Sequence, residues 1–383
     1  MSQPPLPRAR LDFLDGLRGW AAVMVFFSHT LICLFSPVLP WLAHPLTRFA
    51  SDGRLAVAIF FTLSGFVLSN HVAQRKAGKS LLTLALARYL RLLIPIAGVC
   101  FIAYLMMGAG MMMNDSAAKL VNGGEWLGSF YRFTPTMETL SHFVLVSVFF
   151  AFAEPVYNAS LWTIHLEYLG SIIIYVAGFL YLRNHIRIYV AFLAANIIAA
   201  TVFADYILLK YLLDYHAILC FIAGHLLAHA YHHPRFRNVC TPMVHRFACA
   251  LILVPVLASS LYAPIASGTM VAILAILVVA CVTCAPLLQR FFTLPVSQFL
   301  GRISFPFYLV HLVVICSFGS WLIVSLHAQG WGMTEIMLIT TSSTFVVSII
   351  AAMLFLPLET FAVQRARHFG TWLEARLRRD APL

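Results

Sequence analysis

The stretch Gly19–Phe35, GWAAVMVFFSHTLICLF, decides the fold, because it contains no charged residue and is nearly long enough to cross a bilayer. A membrane-spanning helix needs about 20 mainly apolar residues. Residues 1–18 before it are polar and basic, and the run has no small-residue cleavage site. We therefore expect this run to stay in the membrane as a helix, with His29 at or past its middle.

The composition of all 383 residues agrees with this first span. Hydrophobic residues make up 61% of the chain and charged residues only 10%, whereas a soluble domain carries about a quarter charged residues. This excludes a soluble enzyme, a disordered chain and a nucleic-acid-binding protein, despite a formal charge of +11. The basic excess is typical of one membrane face. The eight cysteines lie scattered in apolar runs, which argues against a disulfide framework.

Apolar runs of spanning length recur along the chain and predict an all-α integral membrane protein with about ten transmembrane helices. The predicted spans are 18–37, 55–72, 86–107, 161–182, 188–205, 212–231, 247–263, 268–288, 304–326 and 336–358. A further run, Phe143 to Ala153, is too short for an ordinary span. Its length favours a re-entrant or interfacial segment, and a thin tilted span is the alternative.

The distribution of basic residues predicts the orientation. With ten spans and both termini cytoplasmic, 20 of the 25 Lys and Arg residues lie inside. The five outside are Arg48, Arg54, Lys119, Arg132 and Lys210. This asymmetry follows the positive-inside rule. We expect one transmembrane domain over 1–383, with a core of about 11–358 and a basic cytoplasmic tail at 359–383.

Ionisable side chains inside these spans are candidates for function, because burying charge at membrane depth is costly. His29 lies deep in the first span, and His165 and Glu167 lie in the outer half of the fourth. His311 lies about a third of the way into the ninth. The alternative for each histidine is a neutral core residue that bonds a neighbouring helix. His225 and His229 have metal-ligand spacing without the usual glutamate, so an interfacial or loop role is expected there.

Arg88 and Arg91 lie three residues apart at the inner mouth of the third span, on one helix face. Two guanidinium groups in this arrangement suit phosphate groups, which they bind through paired hydrogen bonds. Lipid headgroups at the interface are the alternative ligand.

Five short motifs, in order along the chain, resemble those of the acyltransferase 3 family of integral membrane proteins. They are Leu11–Ala22 followed by Ser28-His29, Phe60–Phe66, Arg88–Arg91 with Pro95, Leu161–Glu167 and Ile303–His311. The spacing of eleven residues from Arg18 to His29 is that of the family. Each motif alone is weakly specific, whereas five in the right order are strong.

The resemblance implies a membrane-embedded transfer of an acyl group, acetyl from acetyl-CoA or another acyl-CoA, onto a hydroxyl of a glycan or glycan-like acceptor. His29 is then the general base or acyl carrier, and Glu167 is expected to approach and orient it. Arg88, Arg91 and Arg18 are expected to bind the CoA phosphates. The other residues expected to shape the site or contact substrate are Asp15, Ser64, Trp162, His165 and His311.

Two other functions use the same residues differently. A proton-coupled transporter or flippase of a glycan or lipid intermediate would use His29 and Glu167 as a proton relay, and it has no need of Arg88 and Arg91. A non-enzymatic membrane partner of an export machine has no need of His29. We expect acyl-CoA on the cytoplasmic side, an external acceptor, no metal, and residence in a bacterial inner membrane.

Overall fold

The computed structural model of the chain describes residues 11–74, 80–121, 126–150, 156–202, 215–233 and 268–379, and no strand occurs in these ranges. The main α-helices are α1 (Asp12–Phe27), α2 (Gly53–Gln74), α3 (Leu81–Gly108), α4 (Ile164–Leu182), α5 (Ile186–Val202), α6 (Tyr215–His232), α7 (Gly268–Cys284), α8 (Pro286–Phe292), α9 (Pro295–Val314), α10 (Ser320–Ala328) and α11 (Met333–Arg379). Short α-helices lie at Pro45–Ala50, Asn114–Leu120, Met137–His142 and Val148–Phe150. Short 3₁₀-helices lie at Pro40–Ala43, Leu127–Ser129 and Ala159–Thr163. Segments of π-helix lie at Ser28–Phe35, Phe143–Ser147 and Ile315–Gly319.

Six helical stretches are long and apolar enough to cross a membrane. They are Asp12–Phe35, Gly53–Asn70, Leu81–Gly108, Ala159–Leu182, Pro295–Ala328 and Met333–Arg379. A seventh span results if α7 and α8, which meet at a bend of 97°, count as one. The protein is therefore an all-helical integral membrane protein.

The described residues do not confirm the expected count of ten. The apolar helix at Ile186–Ala199 is shorter than a span, and α6, with 18 residues, is long enough but is not among the apolar spans. The expected span at 247–263 lies outside the described residues. The short run beginning at Phe143 belongs to an apolar helical stretch, Met137–Phe150, of less than spanning length.

Helix α1 lies between two hydrophobic cores and so occupies the centre of the helical assembly. Ala22 and Phe26 belong to a core shared with α3, α9 and α11. Ala21 and Val25 belong to a core shared with α2, α6 and α7. The part of α1 from Gly19 onward is thus buried on two faces, as its uncharged sequence predicts.

Glycines allow the central helices to approach closely, as small residues do in membrane interiors. A Cβ atom added at Gly19 of α1 would lie 2.4 Å from the backbone nitrogen of Gly301 in α9. A Cβ atom at Gly65 of α2 would lie 2.1 Å from the carbonyl oxygen of Phe221 in α6. These contacts fix α1 against α9 and α2 against α6.

The connection between α3 and α4, predicted to lie outside the membrane, is held by polar contacts. Asn114 donates to the carbonyl oxygens of Leu127 and Phe130 at 3.0 and 2.9 Å. Lys119 and Arg132 stand beside Asp115 and hold the pKa of its carboxyl below the ordinary value.

Helix α11 has 47 residues and a length of about 70 Å, which exceeds the thickness of a bilayer. It continues through Pro357, so the basic tail expected from 359 extends the last span as helix up to Arg379. Near its end, Glu374 accepts hydrogen bonds from the Ser80 backbone nitrogen at 3.0 Å and the Thr83 hydroxyl at 2.9 Å. The carboxylate therefore caps the start of α3.

Candidate active site

Two histidines from the central helices meet inside the membrane-spanning region. The Nδ1 atom of His29 lies 3.0 Å from Nε2 of His311, and the two rings are nearly parallel with centroids 5.2 Å apart. His29 lies in the π-helical segment that continues α1, and His311 precedes the π-helical segment that continues α9. Such widened turns occur often at functional sites.

The hydrogen bonds of His311 fix which nitrogen of each ring carries a proton. Its Nδ1 lies 2.8 Å from the carbonyl oxygen of Tyr308 and 3.2 Å from that of Phe307. A carbonyl oxygen only accepts, so Nδ1 of His311 is the donor. In the neutral ring Nε2 is then the acceptor, and Nδ1 of His29 donates to it. This leaves the lone pair on Nε2 of His29 for chemistry.

The segment before α4 holds the peptide groups next to His311. Asn158 donates to the carbonyl oxygen of Leu309 at 2.8 Å. The hydroxyl of Tyr308 bonds the carbonyl oxygen of Ser160 and lies 2.9 Å from the hydroxyl of Thr163. These contacts are buried, so they restrict the turn of α9 that orients His311.

An aromatic residue from the connection between α3 and α4 covers the histidine pair. The ring of Trp126 lies 5.2 Å from that of His29, centroid to centroid. The sequence gives no periodic signal for this contact, since Trp126 belongs to a long non-spanning stretch. Trp162, expected to shape the site, is 41% exposed, and no ring contact involves it within the described part of the chain.

Glu167 faces Arg88 and Ser64. Its Oε1 forms an ion pair with Nη2 of Arg88 and accepts a hydrogen bond from the Ser64 hydroxyl at 2.8 Å. Its hydrogen bond and its ion pair thus come from α2 and α3, and the group that holds Nδ1 of His29 is His311. Glu167 thus links α4 to α2 and α3, and its expected approach to His29 stays a prediction. The Nε atom of Arg88 is buried without a hydrogen-bond partner.

Three arginines gather on one side of the histidine pair. Arg18 pairs with Asp15 at 2.7 Å and donates from Nε to the Ser304 hydroxyl at 3.1 Å. The charges of Arg18, Arg88 and Glu359 act on Arg91, which forms no hydrogen bond or ion pair with another described residue. Arg18 precedes His29 by eleven residues, about 16 Å along a helix. Glu359 is not among the residues expected at the site, because it lies in the tail expected after 358.

Two other histidines of the predicted spans lie in α4 and α6. His165 is buried within α4. His225, expected in an interfacial or loop role, is fully buried and lies 2.7 Å from the Ser69 hydroxyl and 3.1 Å from the Tyr189 hydroxyl. It therefore links α2, α5 and α6. Within the described ranges, no three His, Cys, Asp or Glu side chains are grouped so as to hold a metal ion.

Comparison with protein families agrees with the motifs. The family model described as an acyltransferase domain matches residues 11–354. Comparison with curated proteins and with solved structures gives no match. The matched region includes α1 to α10, the apolar part of α11, and every residue of the histidine pair and the arginine group. The chain therefore belongs to the acyltransferase 3 family and is an integral membrane acyltransferase.

Proposed function

We propose that the protein transfers an acyl group, acetyl in the simplest case, from acyl-CoA to a hydroxyl of a glycan or glycan-like acceptor, with His29 as the general base. The observation that carries this proposal is the free lone pair on Nε2 of His29, set by the hydrogen bond from Nδ1 to His311. A neutral imidazole is suited to take a proton near neutral pH.

The reaction then follows from the position of this nitrogen. Nε2 of His29 takes the proton of the acceptor hydroxyl while the oxygen of that hydroxyl attacks the thioester carbonyl. The C–S bond breaks and the acceptor oxygen keeps the acyl group. The CoA thiolate then takes from His29 the proton that came from the acceptor hydroxyl. During the step His311 accepts from Nδ1–H of the imidazolium and so stabilises it. An acyl group carried on Nε2 of His29 is the alternative, because it uses the same lone pair.

The arginine group suits the phosphates of the donor. Arg91 forms no ion pair with another described residue, and Arg88 has a buried Nε without a partner. Guanidinium groups bind phosphate oxygens through paired, charge-assisted hydrogen bonds. The separation of about 16 Å from Arg18 to His29 supports a donor whose charged end lies far from its reacting thioester.

A proton relay through Glu167 and His29 is the expectation for a transporter. Glu167 instead shares its Oε1 with Arg88 and Ser64, and these contacts do not support that relay. We therefore favour transfer over transport. The donor enters from the cytoplasmic side, where the basic residues concentrate, and the acceptor lies outside a bacterial inner membrane.

Mass spectrometry of surface glycans and lipids, in cells with the parent protein and with His29→Ala, tests the proposal. A mass difference of one acyl unit identifies donor and acceptor together. Purified protein is assayed in parallel for thiol release from acetyl-CoA. Identical glycans in both strains, with no thiol released by the parent, would contradict the proposed reaction.

A further inference from the structure

Helix α11 carries a row of buried hydroxyl groups that have no hydrogen-bond partner. Thr340, Thr344 and Ser348 follow each other at intervals of four residues, so they share one helix face. Their side chains are at most 1% exposed, and their hydroxyl oxygens, like that of Thr341, are buried without a partner. Unpaired hydroxyls destabilise a closed interface, so each such group requires an explanation.

The row faces the π-helical segment that follows His311. A Cβ atom added at Gly319, the last residue of that segment, would lie 3.0 Å from the hydroxyl oxygen of Thr344. Gly319 follows His311 by eight residues, about 12 Å along a helix. Ser304, which binds Arg18, precedes His311 by seven. The hydroxyl row therefore lies beyond the histidine pair, on the side away from the arginines.

A fifth unpaired hydroxyl approaches the same segment from another part of the chain. The hydroxyl of Tyr131 is buried without a partner, and its electrostatic neighbours include Cys316 in the π-helical segment. Tyr131 has a φ of 58°, an unfavourable conformation for a bulky residue. We call Tyr131, Thr340, Thr341, Thr344 and Ser348 the hydroxyl seam.

We propose that the hydroxyl seam is the site through which hydroxyl-bearing molecules reach the histidine pair, closed in this structure and opened when hydroxyl groups of the entering molecule bind the seam. The seam consists of uncharged hydroxyl groups, which both donate and accept hydrogen bonds and so suit the hydroxyls of a carbohydrate or of water. The opposite side of the pair carries the arginines that suit phosphate. The identification of the ligand as acceptor rests on the proposed function, whereas the opening of the seam does not.

The triple variant Thr340→Val, Thr344→Val, Ser348→Ala tests the seam, because valine keeps the shape of threonine and removes the hydroxyl. We expect a higher thermal unfolding midpoint, since unpaired buried groups are removed. We also expect glycan acylation in cells to fall by roughly twofold to tenfold for each hydroxyl lost. Ser342→Ala is the control, because Ser342 is exposed on the same helix and donates to the Leu338 carbonyl oxygen at 2.6 Å.

Hydrolysis of acetyl-CoA by the purified protein, without glycan, separates the two sources of hydroxyl groups. A fall in glycan acylation alone assigns the seam to the acceptor, and a fall in hydrolysis as well assigns it to water also. Both results support the seam. A triple variant with a lower midpoint, or one that matches Ser342→Ala in midpoint and acylation, would overturn the proposal.

The opening of the seam has a readout that needs no acyl transfer. Thr344→Cys is treated with a small water-soluble methanethiosulfonate, and labelling at position 344 is measured by peptide mass spectrometry. Labelling above the level at Cys220, which is buried in the other hydrophobic core, supports opening, and labelling no faster than at Cys220 contradicts it. If the parent protein neither cleaves acetyl-CoA nor changes a glycan, the proposed function fails while this measurement still decides the seam.

Discussion

A single nitrogen atom, Nε2 of His29, carries the chemistry proposed for this protein. His29→Gln keeps a side chain able to hydrogen-bond His311 but cannot take a proton at neutral pH. We expect acyl transfer to fall by about 10²–10⁴-fold, as for the loss of general base catalysis. The thermal unfolding midpoint is expected to stay at that of the parent. Both are measured on the same purified variant.

His29→Ala is the matched variant, and it is expected to be as inactive as His29→Gln. A histidine that only packs gives the opposite pattern, in which glutamine retains activity and alanine lowers the midpoint. An active His29→Gln protein would assign the base to another residue.

His311 is expected to act as a positioning residue. His311→Leu removes the acceptor of Nδ1–H of His29, so the proton is free to move to Nε2 and occupy the reactive lone pair. We expect kcat to fall by about 10- to 100-fold with little change in KM for acetyl-CoA, because groups that bond the other ring nitrogen of a functional histidine have effects of this order. A changed pH profile of kcat distinguishes positioning from packing. An unchanged profile with a lower unfolding midpoint would indicate packing alone.

The two inner arginines are expected to differ, although the sequence treats them alike. Arg91 forms no hydrogen bond or ion pair with another described residue, so Arg91→Ala should raise KM for acetyl-CoA about tenfold to a hundredfold at unchanged stability. Arg88→Ala leaves the partly buried Glu167 without its counter-ion, with only the hydrogen bond from Ser64, so it should also lower the unfolding midpoint. Adding Glu167→Gln to Arg88→Ala should restore the midpoint without restoring donor use. Equal stability losses in both single variants would contradict this assignment.

At this scale the sequence predicts which residues gather but not which atoms meet. The depth of His29 and the late motif with His311 place both inside the membrane, and the structure brings them together. Glu167 bonds side chains of α2 and α3 because those helices are its neighbours, which no spacing along the chain reveals. The contact of Trp126 with His29 depends on the path of a long connection and is equally hidden.

Among the helices, the contact between α1 and α9 holds the histidine pair together. Gly19→Ala places a Cβ atom 2.4 Å from the Gly301 nitrogen, so the helices must separate. We expect a loss of stability of about 1–3 kcal/mol, as for overpacking, with a fall in kcat because His29 moves from His311. Gly108→Ala is the control, since a Cβ atom there meets nothing within 4 Å. Equal midpoints for the two variants would show that this contact does not limit stability.

Helix length explains which elements the sequence predicts well. The first and the last of the strongly apolar runs appear as continuous helices, because backbone groups in a membrane must bond within their own segment. The π-helical turns at His29 and after His311 leave no periodic signal, since they depend on packing against neighbouring helices. The bend of 97° between α7 and α8 follows from Pro286, which begins α8.

The whole molecule is polarised along α11, and this gives the last prediction. The helix exceeds the bilayer by about 25 Å, so one end must project into water. The C-terminal end of α11 carries five arginines, Arg365, Arg367, Arg376, Arg378 and Arg379. The other end, at Met333, has no such basic group. The positive-inside rule assigns the C-terminal end to the cytoplasm, and we expect a reporter fused after Leu383 to be active only inside the cell. A second reporter fused before Met1 should report the same side if the number of spans is even. Activity of the first from outside would require the apolar run that begins at Phe143 to cross the membrane.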